Sequence, residues 1–179
     1  MNYYLPTKVD IDGVEYPIRS DFRVILEIIE LLQDDLTPAE KAEGVLTMFY
    51  EEIPSDATQA INKCFEFMDM GDKPKKSPRL VDWEKDFNYI IAPINRVLGY
   101  ECRSAEYLHW WTFLAAFMEI GGDCVFSQIV NIRDKLARGK KLEKYEQEWL
   151  RKNRQLVHLP QRTTAAEDKL LNEWLGVKT

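Results

Sequence analysis

The chain has 179 residues, of which 45% are hydrophobic and 30% charged, and a formal charge of -6. That balance belongs to a folded globular protein; it excludes disorder throughout, and no apolar run approaches the ~18 residues of a membrane span. Cys64, Cys102 and Cys124 are scattered and form no CxxC, which argues for reduced thiols and against a disulfide scaffold or structural zinc.

Charge is unevenly distributed. Residues 1–72 carry 5 Lys/Arg against 16 Asp/Glu, whereas residues 133–154 carry 9 against 4. Met1 to Thr7 has neither a basic region nor an apolar stretch, so no signal peptide is expected.

The first element reads as a hairpin. Val9 and Ile11 lead into Asp12-Gly13, and Val14, Tyr16 and Ile18 lead out. Asp-Gly supplies the positive φ angles of a two-residue type I′ turn, and Pro17 places its strand at an edge. Helices follow. Ser20 or Asp21 caps one that runs to about Gln33 and carries Phe22, Ile25, Ile28 and Ile29. Thr37-Pro38-Ala39-Glu40 is a capping box with Pro in the first turn, opening a helix with Val45, Leu46 and Phe49 on one side. Ser55-Asp56 starts a third, with Ile61, Cys64, Phe65 and Met68 at helical spacing. Residues 71–80 (GDKPKKSPRL) form the clearest break, a loop joining two helical layers.

In the second half Asp82 caps a helix with Trp83, Phe87, Ile90, Ile91 and Ile94, which Pro93 should kink or split and Gly99 should stop. Ser104 is expected to open the most hydrophobic helix, running to Gly121-Gly122. Asp123 is expected to cap the next, with Phe126, Ile129, Val130 and Leu136 inward. On a charged segment after Gly139, Leu142, Tyr145 and Trp149 form a narrow apolar stripe, and Leu159-Pro160 ends it. A second capping box, Thr164 to Glu167, precedes a short last helix with Leu170, Leu171, Trp174 and Leu175. The fold class is thus mainly α, a multi-helix single domain over 1–179 with a short N-terminal β-hairpin. Residues 1–70 hold the hairpin and first layer, and residues 81–179 the second.

Catalytic chemistry finds little footing. His109 lies in an apolar aromatic stretch and reads as a packing histidine; nothing in the sequence joins it to His158. Asp34-Asp35, Glu51-Glu52 and Asp82-x-Glu84-x-Asp86 lack calcium-loop or paired-carboxylate spacing and read as caps and solvated helix faces. No catalytic residue, metal site or cofactor is expected. Nucleic-acid binding by 133–154 is possible from its basic residues. Asp134, Glu143, Glu146 and Glu148 interrupt them, and i,i+4 pairing on an exposed helix is the ordinary explanation. Tyr107, Trp110, Trp111, Phe113, Leu114 and Phe117 wrap nearly all round one helix, so it reads as a central core helix, which can also floor a groove for a partner.

Three stretches together resemble a known family. Asp86-Phe87-x-Tyr89-Ile90 precedes Leu108-His109-Trp110-Trp111-Thr112-Phe113, and Phe126, Ile129 and Arg133 follow. The opening also fits, with an Asp-Gly hairpin and then Ser20-Asp21-Phe22-Arg23. Over most of residues 5–160 this resembles the bacteriophage gene-product-fifteen family of tail proteins. The resemblance implies a non-enzymatic tail-assembly chaperone in the cytoplasm of the bacterial host, one that holds the helical tape measure protein in solution until tail-tube subunits polymerise. The partners then expected are the tape measure protein, the major tail protein and a second copy of the chain, with no membrane and no nucleic acid. The alternatives are a minor tail component retained in the virion and a nucleic-acid-associated phage protein. The candidate partner-binding residues are Tyr107, Trp110, Trp111, Phe113, Tyr145 and Trp149. The early acidic and late basic charge suggests copies aligned head to tail, with Arg151, Lys152 and Arg154 as the self-association charges.

Overall fold

Asp12 and Gly13 take φ of 53° and 81°, the left-handed pair that a two-residue turn demands. They join β1 (Lys8–Ile11) to β2 (Val14–Pro17), antiparallel with Ile11 opposite Val14 and Lys8 opposite Pro17. The computed structural model describes residues 4–71 and 78–159. Among them it is mainly α with this one short hairpin. The expected helix after Thr164 lies outside the described residues, as does most of the 71–80 loop.

The described chain divides into two compact units, the first comprising residues up to 71 together with 107–112, the second 78–106 and 113–159. In unit 1, α1 (Phe22–Gln33), α2 (Pro38–Phe49) and α3 (Ala57–Met68) begin where local capping chemistry dictates. The side chains of Asp21, Thr37 and Asp56 accept from the backbone of Arg23, Glu40 and Gln59, and the Thr37–Glu40 capping box is complete. Helix α1 packs on α2, α2 on α3, and α3 on β1. Ile25, Ile28, Val45, Phe49, Ala60 and Cys64 are sealed from solvent. Each such large aliphatic side chain contributes about 1.5–3 kcal/mol on burial. Carbonyls at the helix ends are met by cations. Arg19 donates to Thr47, Met48 and Tyr50 at the end of α2, and Lys41 reaches the Leu32 carbonyl at 2.7 Å.

Unit 2 opens with α4 (Trp83–Leu98), capped by Asp82 and ended by Gly99 at φ 80°. The helix is not split at Pro93. Ile90, Ile91 and Ile94 bury on both sides of that residue, which is itself buried, and hold the turns together. A 3-10 turn (Cys102–Ser104) follows, fixed by Asn95, which donates to Glu101 and accepts from the Cys102 N–H. Then come α5 (Trp110–Met118), whose residues up to Thr112 count with unit 1, α6 (Val125–Ala137), α7 (Lys144–Lys152) and the single turn α8 (Arg154–Val157).

Four boundaries and faces differ from expectation. Helix α5 starts at Trp110 rather than Ser104, because residues 107–109 are held extended against 20–22. The Leu108 N–H donates to Asp21 Oδ2 at 3.0 Å, Phe22 N–H to the Leu108 carbonyl at 2.9 Å, and Trp110 N–H to the Ser20 carbonyl at 2.8 Å. Those bonds occupy groups that a helix would need. Helix α6 is capped by Cys124, whose Sγ accepts from Ser127, since Asp123 is turned to Arg96 at 2.9 Å. Leu136 is 48% exposed rather than inward. The late charged helix breaks at Asn153, before Leu159-Pro160, because the Asn153 N–H closes on the carbonyls of Trp149 and Leu150 and α8 begins anew.

Candidate partner-binding surfaces

The last turn of α3 leaves carbonyls without intrahelical partners. Two consecutive indoles satisfy them in unit 1. Trp110 Nε1 donates to the Met68 carbonyl and Trp111 Nε1 to the Phe67 carbonyl, both at 2.8 Å. The Trp111 ring stacks on Phe67, with centroids 5.7 Å apart and planes at 27°. Between the strand-like segment and the indoles sits His109, buried. Its Nδ1 accepts from the Trp111 N–H at 3.0 Å, so Nε2 carries the hydrogen and donates to the Pro6 carbonyl at 2.9 Å. Burial pushes the His109 pKa down, opposed by the Pro6 contact, and the ring is neutral. It is a fixed packing group, as its apolar setting suggested.

Two open grooves flank this arrangement in unit 1. The first, about 560 Å³, has Pro6, Val9, Phe67 and Trp111 as its apolar lining and Gln59 and Lys63 among its polar lining. The second, about 530 Å³, runs past Ile18, Ser20, Val24 and Tyr107. Tyr107 is 53% exposed, with its hydroxyl 2.7 Å from Ser20 Oγ. Of the residues picked from sequence, Tyr107 and Trp111 therefore line accessible surface. Trp110 and Phe113 are core and present nothing to a partner. Phe113 packs in unit 2 against Trp83, which also meets Phe117 with centroids 4.7 Å apart. The aromatic helix is thus not buried on every side; Met118 is exposed. Tyr145 and Trp149 lie on α7 in unit 2, the first exposed and the second half-buried.

Two acidic residues read as solvated are instead buried. Asp86 receives Arg133 through two bonds, Nη1–Oδ2 at 2.5 Å and Nη2–Oδ1 at 2.9 Å, with side chains 1% and 3% exposed. Glu146, expected among exposed i,i+4 pairs, points inward to Lys135 Nζ at 2.6 Å and Asn131 Nδ2 at 2.9 Å. The Lys135 bond is the main reason its pKa lies below the ordinary value, and the Glu143 N–H adds to it. Asp82 is also buried, as a cap. Asp34-Asp35 and Glu51-Glu52 are solvated as expected, and so are Arg151, Lys152 and Arg154. Asp86 and Arg133 both stood inside the resembling stretches, which was the one available signal for their pairing. Glu146 had none.

Among the described residues no three His, Cys, Asp or Glu side chains converge as metal ligands. Burial raises the Cys64 thiol well above its usual range. No helix among the described residues is long and apolar enough to cross a membrane.

The family model described as bacteriophage Gp15 protein matches residues 1–159. The chain belongs to the bacteriophage Gp15 protein family. That family match spans the hairpin, the Leu108–Phe113 segment and the Asp86–Arg133 pair alike. No curated protein and no solved structure matches the chain.

Proposed function

We propose that this Gp15 family protein is a tail-assembly chaperone that binds the phage tape measure protein reversibly and makes or breaks no bond. The observation that carries the reading is the groove of unit 1 with the stacked Phe67–Trp111 pair among its lining. It is open, apolar in part, and lined by charged residues, which suits an amphipathic helix laid along it. Its aromatic lining is preorganised, since the Trp111 indole is already bonded to the Phe67 carbonyl and stacked on the Phe67 ring, and loses little freedom on binding. Shallow coverage gives weak single contacts, and many copies along one long helical partner supply avidity. The acidic balance of residues 1–72 favours basic segments of the partner.

Co-expression with the tape measure protein encoded by the same phage tests this. The wild-type chain is expected to keep the partner in the soluble fraction and to co-purify with it. Val9→Asp, which puts a charge into the groove lining, is expected to reduce co-purification about tenfold with an unchanged far-UV spectrum. A tape measure protein equally soluble without the chain, or the chain present in purified virions in stoichiometric amount, overturns the proposal.

A further inference from the structure

Every Lys and Arg among the described residues of unit 1 is engaged at home. Lys8 pairs with Glu15, Arg23 with Asp21 and Lys63 with Glu66, while Arg19 and Lys41 serve helix-end carbonyls. Many carboxylates are left over. Glu27, Glu30 and Asp34 are exposed, have no cation partner among the described residues, and recur at i, i+3 and i+7 along α1 and its C-cap. They form one acidic stripe about 10 Å long, from the 1.5 Å rise per residue. Asp34 and its neighbour Asp35 stand at the negative end of the helix, where anions are least favoured and an incoming cation gains most.

Helix α7 carries the opposite pattern. Its inward acid, Glu146, is drawn to Lys135 and Asn131, so it neutralises nothing outside. Lys144, Arg151 and Lys152 remain exposed without a carboxylate partner among the described residues, as do Lys141 and Arg154 on either side. Lys144, Arg151 and Lys152 share one helix face over about 10–12 Å, the span of the α1 stripe. Glu148 on that face and Glu143 at the cap leave the segment net positive.

We infer that the cationic face of α7 is a docking site for the acidic stripe of α1 on a second copy of this chain. The two stripes are opposite in sign and alike in length. A nucleic acid is the poorer occupant, because Glu143 and Glu148 interrupt the cations and would face its unbroken row of phosphates. Each copy carries one stripe of each sign, so the contact either closes on a pair or propagates along a row. Exposed ion pairs are individually weak, so the association is concentration-dependent and weakens with salt. The inference is independent of the groove proposed for the tape measure protein.

Sedimentation of the full chain over a concentration series, at about 0.05 M and about 1 M salt, tests it. The expected result is a mass that rises with concentration at low salt and falls back to the monomer at high salt. Reversing α7 (Lys144→Glu, Arg151→Glu, Lys152→Glu) is expected to weaken association about tenfold or more, and so is reversing α1 (Glu27→Lys, Glu30→Lys, Asp34→Lys). All six positions are exposed, and far-UV spectra check that each variant is folded. Mixing the two reversed variants restores both contacts, so the mixture is expected to associate where neither does alone. A wild-type chain that stays monomeric at low salt overturns the inference. So does a mixture that fails to associate, or DNA binding that is lost on α7 reversal while the mass never changes.

Discussion

Asp86 on α4 and Arg133 on α6, 47 residues apart, form a buried two-point ion pair in which no donor of the guanidinium is left unused. Besides Asp86, Arg133 donates to the carbonyls of Leu80, Leu156 and Val157, at 2.8, 2.6 and 3.0 Å. The two last carbonyls end the chain's final described helix, where a cation is favoured. Asp86 also accepts from the Asp82 N–H at 2.9 Å. One side chain thereby ties the start of α4, the middle of α6 and the end of α8.

Removing either partner strands a buried charge. Arg133→Met and Asp86→Asn are each expected to destabilise the protein by about 3–5 kcal/mol in urea unfolding. Arg133→Lys should not rescue, because an ammonium has three donors and no planar fork. The double replacement Asp86→Leu/Arg133→Met removes both charges but leaves three carbonyls without their donor. It should therefore remain about 1–3 kcal/mol below wild type. A fully stable double variant would show that the carbonyl bonds contribute nothing.

The paired indoles give a graded test of what caps α3. Trp111→Phe keeps an aromatic ring over Phe67 and loses only the N–H to the Phe67 carbonyl; about 1 kcal/mol is expected. Trp110→Phe loses the Met68 bond and also volume from a side chain 2% exposed, so a larger loss, about 2–4 kcal/mol, is expected. Equal losses at the two sites would contradict the burial difference.

The parts of this fold that were legible in the sequence are those decided within a few residues. The Asp12-Gly13 turn, the caps at Asp21, Thr37, Asp56 and Asp82, and the stop at Gly99 all rest on chemistry spanning at most four positions. The start of α5 was not legible because Asp21, 87 residues away from Leu108, decides it. Burial of Asp86 and Glu146 was hidden for the same reason, since a carboxylate on a helix looks solvated until a cation from another helix is placed beside it. For the candidate surface, aromatic density marked a stretch but not which of its rings reach solvent. Trp110 and Phe113 face the core, and Tyr107 and Trp111 face the grooves.

His109 makes stability depend on pH with a definite sign. Its folded pKa lies below the ordinary 6.5, so the unfolded chain binds its proton first as pH falls. The stability of the neutral, buried form is therefore full above about 6.5, declines as pH falls through that value, and levels off below the lowered pKa. Urea midpoints measured across this range should follow that course. His109→Gln, which retains an acceptor and a donor, should flatten the step even if it lowers the midpoint overall. A step that persists in the variant would assign it to another group.

Helix α7 depends on Glu146 more than on apolar contact, since only Trp149 and Leu150 on it are half-buried and Tyr145 is exposed. The carboxylate holds Lys135 at 2.6 Å, Asn131 at 2.9 Å and the Glu143 N–H at 2.8 Å, joining α7 to α6 and closing its own first turn. Its pKa lies below the ordinary 4.5, so the unfolded state binds the proton first. The attachment is thus at full strength above about 4.5 and is lost as pH falls through the lowered value. Glu146→Gln removes the charge at every pH. Amide hydrogen exchange over 144–152 should accelerate in the variant at neutral pH, with protection in α1 to α3 unchanged. In the wild type the same segment should lose protection only under acid, after correction for the intrinsic rate. If α7 in the variant stays as protected as in the wild type, apolar contact at Trp149 and Leu150 is what holds the helix, and Glu146 is incidental.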